Sequence, residues 1–305
     1  MSFHISRMRW RLVRQSLAET CFVVLCGILL LIVSIPQKGH AMIHPGQIPS
    51  ISKECPTGTR EAEELFQLGT DYFRGLHGMP GDKSKAEKLF LEALELGSAK
   101  AALSLGQLYL YRYRYGTVER LEGEKKMVQM FQKAADMGCP EGLYGLTAAY
   151  SNGWGVPKNQ KKAMELLRQA AEGGALNAMV EYGMNIYDEG AERNNEKRKQ
   201  EGIAWLEKSL ALDNGDAATN LSHLYWQEEN IEGMIRSLRQ GCRLGSLTAI
   251  VGLLDIYISG RFGQEKDREY AMRLNELKVD AREPAKPIPD FDERFPPKPI
   301  LPFKR

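Results

Sequence analysis

The sequence predicts an all-α protein: a right-handed α/α solenoid of about six helix hairpins, preceded by an N-terminal signal or anchor helix and followed by a proline-rich extended tail. Three observations predict it. A phrase of small residue, apolar residue and tyrosine, each four positions apart, recurs along residues 60–283. Each copy is followed, after a loop, by an amphipathic phrase rich in Ala, Leu, Lys and Glu that usually ends at glycine. Finally, the period lies in the thirties, as expected of a stacked helix-pair array, where no hairpin can bury its apolar face alone.

The chain has 305 residues and a net charge of +2, too balanced for a nucleic-acid surface. Residues 1–41 read as a targeting device. Arg7, Arg9, Arg11 and Arg14 precede the apolar run Cys21–Ile35, and such a basic flank stays in the cytoplasm while the downstream chain is exported. The run is 15 residues long and closed by Pro36, with Gly39-His40-Ala41 offering a cleavage site. It therefore reads either as a cleaved signal peptide or as an uncleaved anchor over residues 17–35. Both place residues 42–305 in the periplasm, with membrane contact only through this segment. Residues 42–59 then form a linker.

The first helix of each hairpin carries the tyrosine phrase. Ala101-Leu105-Tyr109 is its clearest copy; Gly142-Leu146-Tyr150, Ala217-Leu221-Tyr225 and Ala249-Leu253-Tyr257 match it. Leu68-Gly69-Tyr72 opens the series, and Ala178-Tyr182-Gly183 is a weaker copy with Ile186 in the tyrosine slot. The spacing puts all three positions on one helix face. Successive slots lie 37, 41, 36, 39 and 32 residues apart. The second helices are read from residues 85–97, 125–138 and 161–174, and from the worn copies 202–214 and 233–245. Between the two helices stand glycine-rich loops. Gly78-Met79-Pro80-Gly81-Asp82-Lys83-Ser84 looks like a phosphate loop, but it follows a helix and lacks the GK[ST] ending, so it reads as punctuation.

These phrases resemble the Sel-like repeat (SLR) family, a relative of the tetratricopeptide arrays, over about residues 60–283. The resemblance is strongest where Tyr150-Ser151-Asn152-Gly153-Trp154-Gly155-Val156 matches the family's Y-x-x-G-x-G-V loop, with Asn159 where the family favours aspartate. It implies a protein-binding scaffold of the bacterial envelope. In particular it implies an immunity protein that binds and neutralises a secreted antibacterial effector, such as a type VI phospholipase. An envelope adaptor that assembles cell-wall or polysaccharide enzymes is the alternative. Disulfide-rich members are linked to β-lactam binding, but this chain shows neither their paired cysteines nor an SxxK nucleophile.

No recognised catalytic or metal-ligand spacing occurs, so no enzyme activity, metal or small-molecule cofactor is expected; an enzyme with an unrecognised site is the remote alternative. Cys55, Cys139 and Cys242 follow the leader; three is odd, so at least one thiol is unpaired, and a disulfide-stapled scaffold is not expected. A Cys139–Cys242 bridge is excluded, because stacked repeats should hold the two Cα atoms well beyond the ~7 Å limit.

Two stretches suggest partner contact. In Tyr109–Gly116, Tyr109 and Tyr113 belong to the packing face, leaving Tyr111, Arg112, Arg114 and Tyr115 to project as interface residues of the hot-spot types. The competing reading is a packed aromatic loop with solvated arginines. Asn220, His223 and Trp226 on the fifth first-helix are candidates for the inner curve, although Trp226 also fits a core position. The tail, residues 284–305, holds seven of the 14 prolines and should not be helical. Its Phe291, Phe295, Ile300, Leu301 and Phe303 suggest docking along the last repeat or in the groove.

Overall fold

The computed structural model describes residues 55–78, 80–114, 119–277 and 287–299. The expected leader, most of the linker and the tail's last residues lie outside these. All regular structure among the described residues is helical. Six hairpins follow in order: α1 (Arg60–Arg74) with α2 (Lys83–Glu95), α3 (Ala99–Arg114) with α4 (Arg120–Asp136), and α5 (Pro140–Asn152) with α6 (Gln160–Glu172). Then come α7 (Leu176–Glu192) with α8 (Glu196–Ala211), α9 (Ala217–Gln227) with α10 (Ile231–Arg243), and α11 (Leu247–Ser259) with α12 (Arg268–Asn275). One further turn, α13 (Phe291–Arg294), belongs to the tail.

Every helix packs on its sequence neighbours, and from α3 onward each odd-numbered helix also touches the next odd-numbered one. The odd helices thus form one layer of the array and the even helices the other. Alanines make this close stacking feasible: Ala86, Ala93, Ala101, Ala102, Ala134, Ala163, Ala170, Ala178, Ala217, Ala218 and Ala249 are all buried. In the α7–α8 hairpin the approach is close enough that a Cβ on Gly202 would sit 2.6 Å from the carbonyl oxygen of Gly183. Only glycine allows that approach.

The even helices start the same way in five of the six hairpins. Asp82, Asn159, Asn195, Asn230 and Asp267 are extended or near-extended N-caps whose side chains accept from a backbone N–H two or three residues on. In four of them the cap residue's own N–H returns to the tyrosine-slot carbonyl, as from Asn159 to Tyr150 at 2.8 Å and from Asp267 to Tyr257 at 2.9 Å. The Asp/Asn slot is therefore a hinge pin that closes the loop and starts the next helix.

The tyrosine slot ties the two layers together. Tyr72 and Tyr150 each accept from a lysine of the partner helix, Lys85 and Lys162, at 2.6 Å, with the ammonium over the ring. Tyr109 and Tyr225 instead donate to Glu87 and Glu207 of the preceding even helix. In the fourth hairpin Ile186 keeps the slot's register, as expected, and Tyr187, one residue later, supplies the hydroxyl. Lys199, twelve residues on as Lys162 is from Tyr150, approaches the Tyr187 ring, and the hydroxyl donates to Glu228 of the next repeat at 2.6 Å. Ile186 itself is buried.

Two cysteines correct the sequence reading. Cys55 and Cys139 form a disulfide across 84 residues, which leaves Cys242 as the free cysteine among the described residues. The segment after Cys55 crosses the α2–α3 corner, where Thr59 donates to Leu96 and Ala99 donates to Pro56. This brings Cys55 to the α4–α5 corner, which carries Cys139. Sequence spacing could not reveal this, because the linker's path is set by packing on two successive corners.

The tail corrects a second expectation. It does contain a helical turn, since residues 290–295 between Pro289 and Pro296 are free of proline. Phe291 and Phe295 are fully buried in the core of the last two repeats, against α10 and α12, and Ile288 donates to the Arg243 carbonyl at 2.6 Å. Arg239, itself buried, donates to the Tyr270 hydroxyl at 3.0 Å, to the Phe295 carbonyl at 2.6 Å and to Asp292. The tail docks on the last repeats and covers apolar surface that an uncapped solenoid end would expose to water.

Candidate binding surface

The glycine loop between α5 and α6 settles whether it holds an anion. The N–H of Gly155 donates to a carboxylate, but that carboxylate is Glu124 of α4, at 3.0 Å. Glu124 is buried, and its other oxygen accepts from Arg120 at 2.8 Å. Gly155 has φ +66°, and an added Cβ would lie 2.6 Å from the Glu124 carbonyl oxygen. The loop is an internal joint that locks repeat three onto repeat two.

The tyrosine–arginine stretch is also partly structural. Arg112 donates to Glu87 at 2.5 Å and reaches Ser84 at 3.4 Å, bracing α3 against α2 beside the Tyr109–Glu87 bond. Burial, then the Glu87 bond, pushes the Tyr109 hydroxyl up to about 12. Tyr111 lies under the Lys83 ammonium at 4.4 Å. Arg112 and Tyr111 are thus engaged within the fold rather than projecting. The side chain of Arg114, and Tyr115, lie outside the described residues.

Asn220, His223 and Trp226 come together as expected, on the exposed face of α9. Trp226 is 44% exposed, which removes the core reading, and its ring meets that of His223 at 5.8 Å. Burial lowers the pKa of His223, opposed by the charge of Asp188 on α7. The face continues onto α11, where the Thr219 hydroxyl donates to Thr248 at 3.0 Å. Leu247, Val251 (45% exposed) and Ile258 (40% exposed) line the open side of α11, with Asp255 between them. Leu247, Val251 and Ile258 were missed in the sequence because an apolar face on an apolar helix has no periodic contrast. The equivalent positions on earlier repeats are closed: Leu103, Gln107 and Leu110 of α3, and Ala148 and Ser151 of α5, are buried.

On the other side, a groove of about 630 Å³ runs between α6 and α8 over α7, lined by Met164, Arg168, Tyr182, Asn185, Glu189 and Arg198 among others. Its arginines are matched within the wall, Arg168 by Glu165 and Glu172, and Arg198 by Glu189 and Glu201. Cys55, Cys139 and Glu141 cluster in the interior, but both sulfurs are used in the disulfide.

Comparison with known proteins places this geometry. The Sel1 repeat family matches residues 65–98, 99–139, 140–174 and 176–214, in register with the first four hairpins. Residues 65–214 carry four Sel1 repeats, and the chain folds as the α/α solenoid such repeats build, a fold that serves as protein-interaction scaffold. Among solved structures, an immunity protein of Pseudomonas aeruginosa superposes with TM-score 0.61 at 18% identity, over 80% of this chain and 91% of that one. A second immunity protein of that organism gives 0.59 at 20% identity over 80% and 91%, and a Sel1 repeat protein of Oxalobacter formigenes gives 0.52 at 22% identity over 71% and 86%. These likenesses show the fold. An F-box protein of Arabidopsis thaliana is 30% identical over 129 residues, 42% of this chain, and a Neisseria meningitidis protein is 32% identical over 150 residues, 48% of this chain. The chain spans about a third of the length of these curated relatives, at 33% and 30%. No helix among the described residues is long and apolar enough to cross a membrane.

Proposed function

We propose that the chain is an exported, non-catalytic scaffold of the bacterial periplasm that binds and neutralises a secreted antibacterial effector, type VI phospholipase-like in kind. The observation that carries this reading is the open, aromatic and aliphatic inner face of α9 and α11 on a fold that two immunity proteins share across four-fifths of the chain. A stoichiometric inhibitor needs a large preformed surface and no reactive group, and a capped solenoid supplies that surface without reorganising. Export is supported by the basic flank and apolar run of residues 7–35. It is supported too by the Cys55–Cys139 bond, since such bonds persist in oxidising compartments.

The test is co-expression of the full chain with the product of an adjacent toxin gene. The expected result is a one-to-one complex isolated from the periplasm and restored growth of the toxin-bearing cells. A chain that fractionates with the cytoplasm, or that never co-purifies with the toxin while growth stays poisoned, would refute the reading. Recovery of cell-wall or polysaccharide enzymes in place of a toxin would favour an envelope adaptor.

A further inference from the structure

Charge is distributed unevenly between the two layers. The four odd helices α5, α7, α9 and α11 contain no lysine or arginine. They carry acids only: Glu141, Glu181, Asp188, Glu189, Glu192 and Asp255. The even helix α10 alone carries Arg236, Arg239 and Arg243 against Glu232. These four odd helices are therefore negative, whereas α3 carries Lys100, Arg112 and Arg114 and the even helices mix both signs.

The acids do not all face the same way. Glu141 is buried, and the half-buried Glu181 accepts from the Tyr144 hydroxyl across α5 and α7. Glu189 belongs to the outer groove with Arg193 and Arg198. Asp188 is exposed and close enough to His223 for their charges to interact, and Asp255 sits between Val251 and Ile258. The nearest base is Arg261, in the loop after α11, at 3.5 Å from Asp255. Around the exposed Trp226, Val251 and Ile258 the helical wall thus offers apolar anchors flanked by negative charge.

We infer that the α9–α11 face docks a basic amphipathic segment of a protein partner, with an apolar side chain seated on Trp226 and Val251 and lysines or arginines directed at Asp188 and Asp255. An acidic partner would meet carboxylates with no cation on these helices to receive it, and like charges across an interface cost affinity. A cationic side chain also gains from the face of Trp226. The inference rests on the protein-binding reading above and narrows it to the chemistry of the partner.

Two helical peptides with the same leucine pattern, one bearing Lys and Arg at its polar positions and the other Glu, test it on the full-length chain. Hydrogen exchange of α9 and α11 is the readout, because it reports the protein face alone. The basic peptide should protect these helices and the acidic one should not. Trp226→Ala should weaken the protection constant about tenfold or more, as expected for an aromatic anchor. The double variant Asp188→Asn/Asp255→Asn should weaken it severalfold while removing most of its salt dependence. Trp226 is exposed, so circular dichroism should be unchanged. Equal protection by both peptides, or no effect of Trp226→Ala, overturns the inference. So does a dimer in sedimentation that Trp226→Ala dissociates, since a second copy would then own the face. If a toxin is captured one-to-one while the peptides prove charge-blind, the scaffold reading stands and the charge rule alone falls.

Discussion

Removing the disulfide with Cys55→Ala/Cys139→Ala should destabilise the N-terminal half of the array and leave the C-terminal half intact. The bond closes a loop of 84 residues that spans the first two hairpins. Constraining a loop of that size removes about 4–5 kcal/mol of unfolded-chain entropy on the chain-entropy account, and measured losses for native bridges run about 2–5 kcal/mol. Packing of the 55–59 segment on the α2–α3 corner survives the substitution, so a loss of about 3 kcal/mol is expected. Stability in a solenoid is a sum of local terms, so the effect should stay near its source. Native-state hydrogen exchange, with and without reductant, measures this directly. Protection in α1–α4 should drop by about 100-fold, matching about 3 kcal/mol, while α9–α12 are unchanged. Identical exchange in oxidised, reduced and variant protein would refute the reasoning. So would alkylation of the unfolded, unreduced protein that labels Cys55 and Cys139.

Three further outcomes are expected. Glu124→Ala strips the carboxylate from the Gly155 N–H and from Arg120 and should cost about 1–3 kcal/mol in denaturant unfolding, with Gly155→Ala costing at least as much because its φ is +66°. Phe291→Ala should free the tail, seen as rapid proteolysis between residues 284 and 299 and a loss of about 3 kcal/mol confined to the last repeats. The tail should also loosen in acid. The Lys298 bond holds the Asp267 pKa below its usual value, and at Asp292 burial works upward but the bonds from Arg243 and Arg239 outweigh it. Depressed carboxylate pKa values give stability that is complete above the unfolded value, ~3.9, and is lost as pH falls through the folded values. Proteolysis by an acid protease should therefore accelerate below about pH 4 in the wild type. Lys298→Ala/Asp292→Asn should be cut quickly at neutral pH as well.

The repeat was legible in the sequence because stacking demands it locally. Each hairpin needs a small residue where helices touch, a tyrosine to reach the partner helix and an Asp or Asn to start it, so the pattern Ala101-Leu105-Tyr109 or Tyr150 to Asn159 recurs wherever the same contact recurs. The register put Asn220, His223 and Trp226 on one helix but left Trp226 between core and surface; its exposure was decided by the structure. What the tertiary structure alone decided depends on contacts between parts remote in sequence. The Cys55–Cys139 bridge spans 84 residues, the Gly155 N–H finds Glu124 from the preceding repeat, and the Arg239 guanidinium reaches Asp292 and Phe295 in the tail. Nor could the sequence separate Arg112 the brace from Arg112 the free contact, because its partner Glu87 lies on another helix. Periodicity records the contacts every repeat must make; the single contacts that close, pin and cap the array leave no period to read.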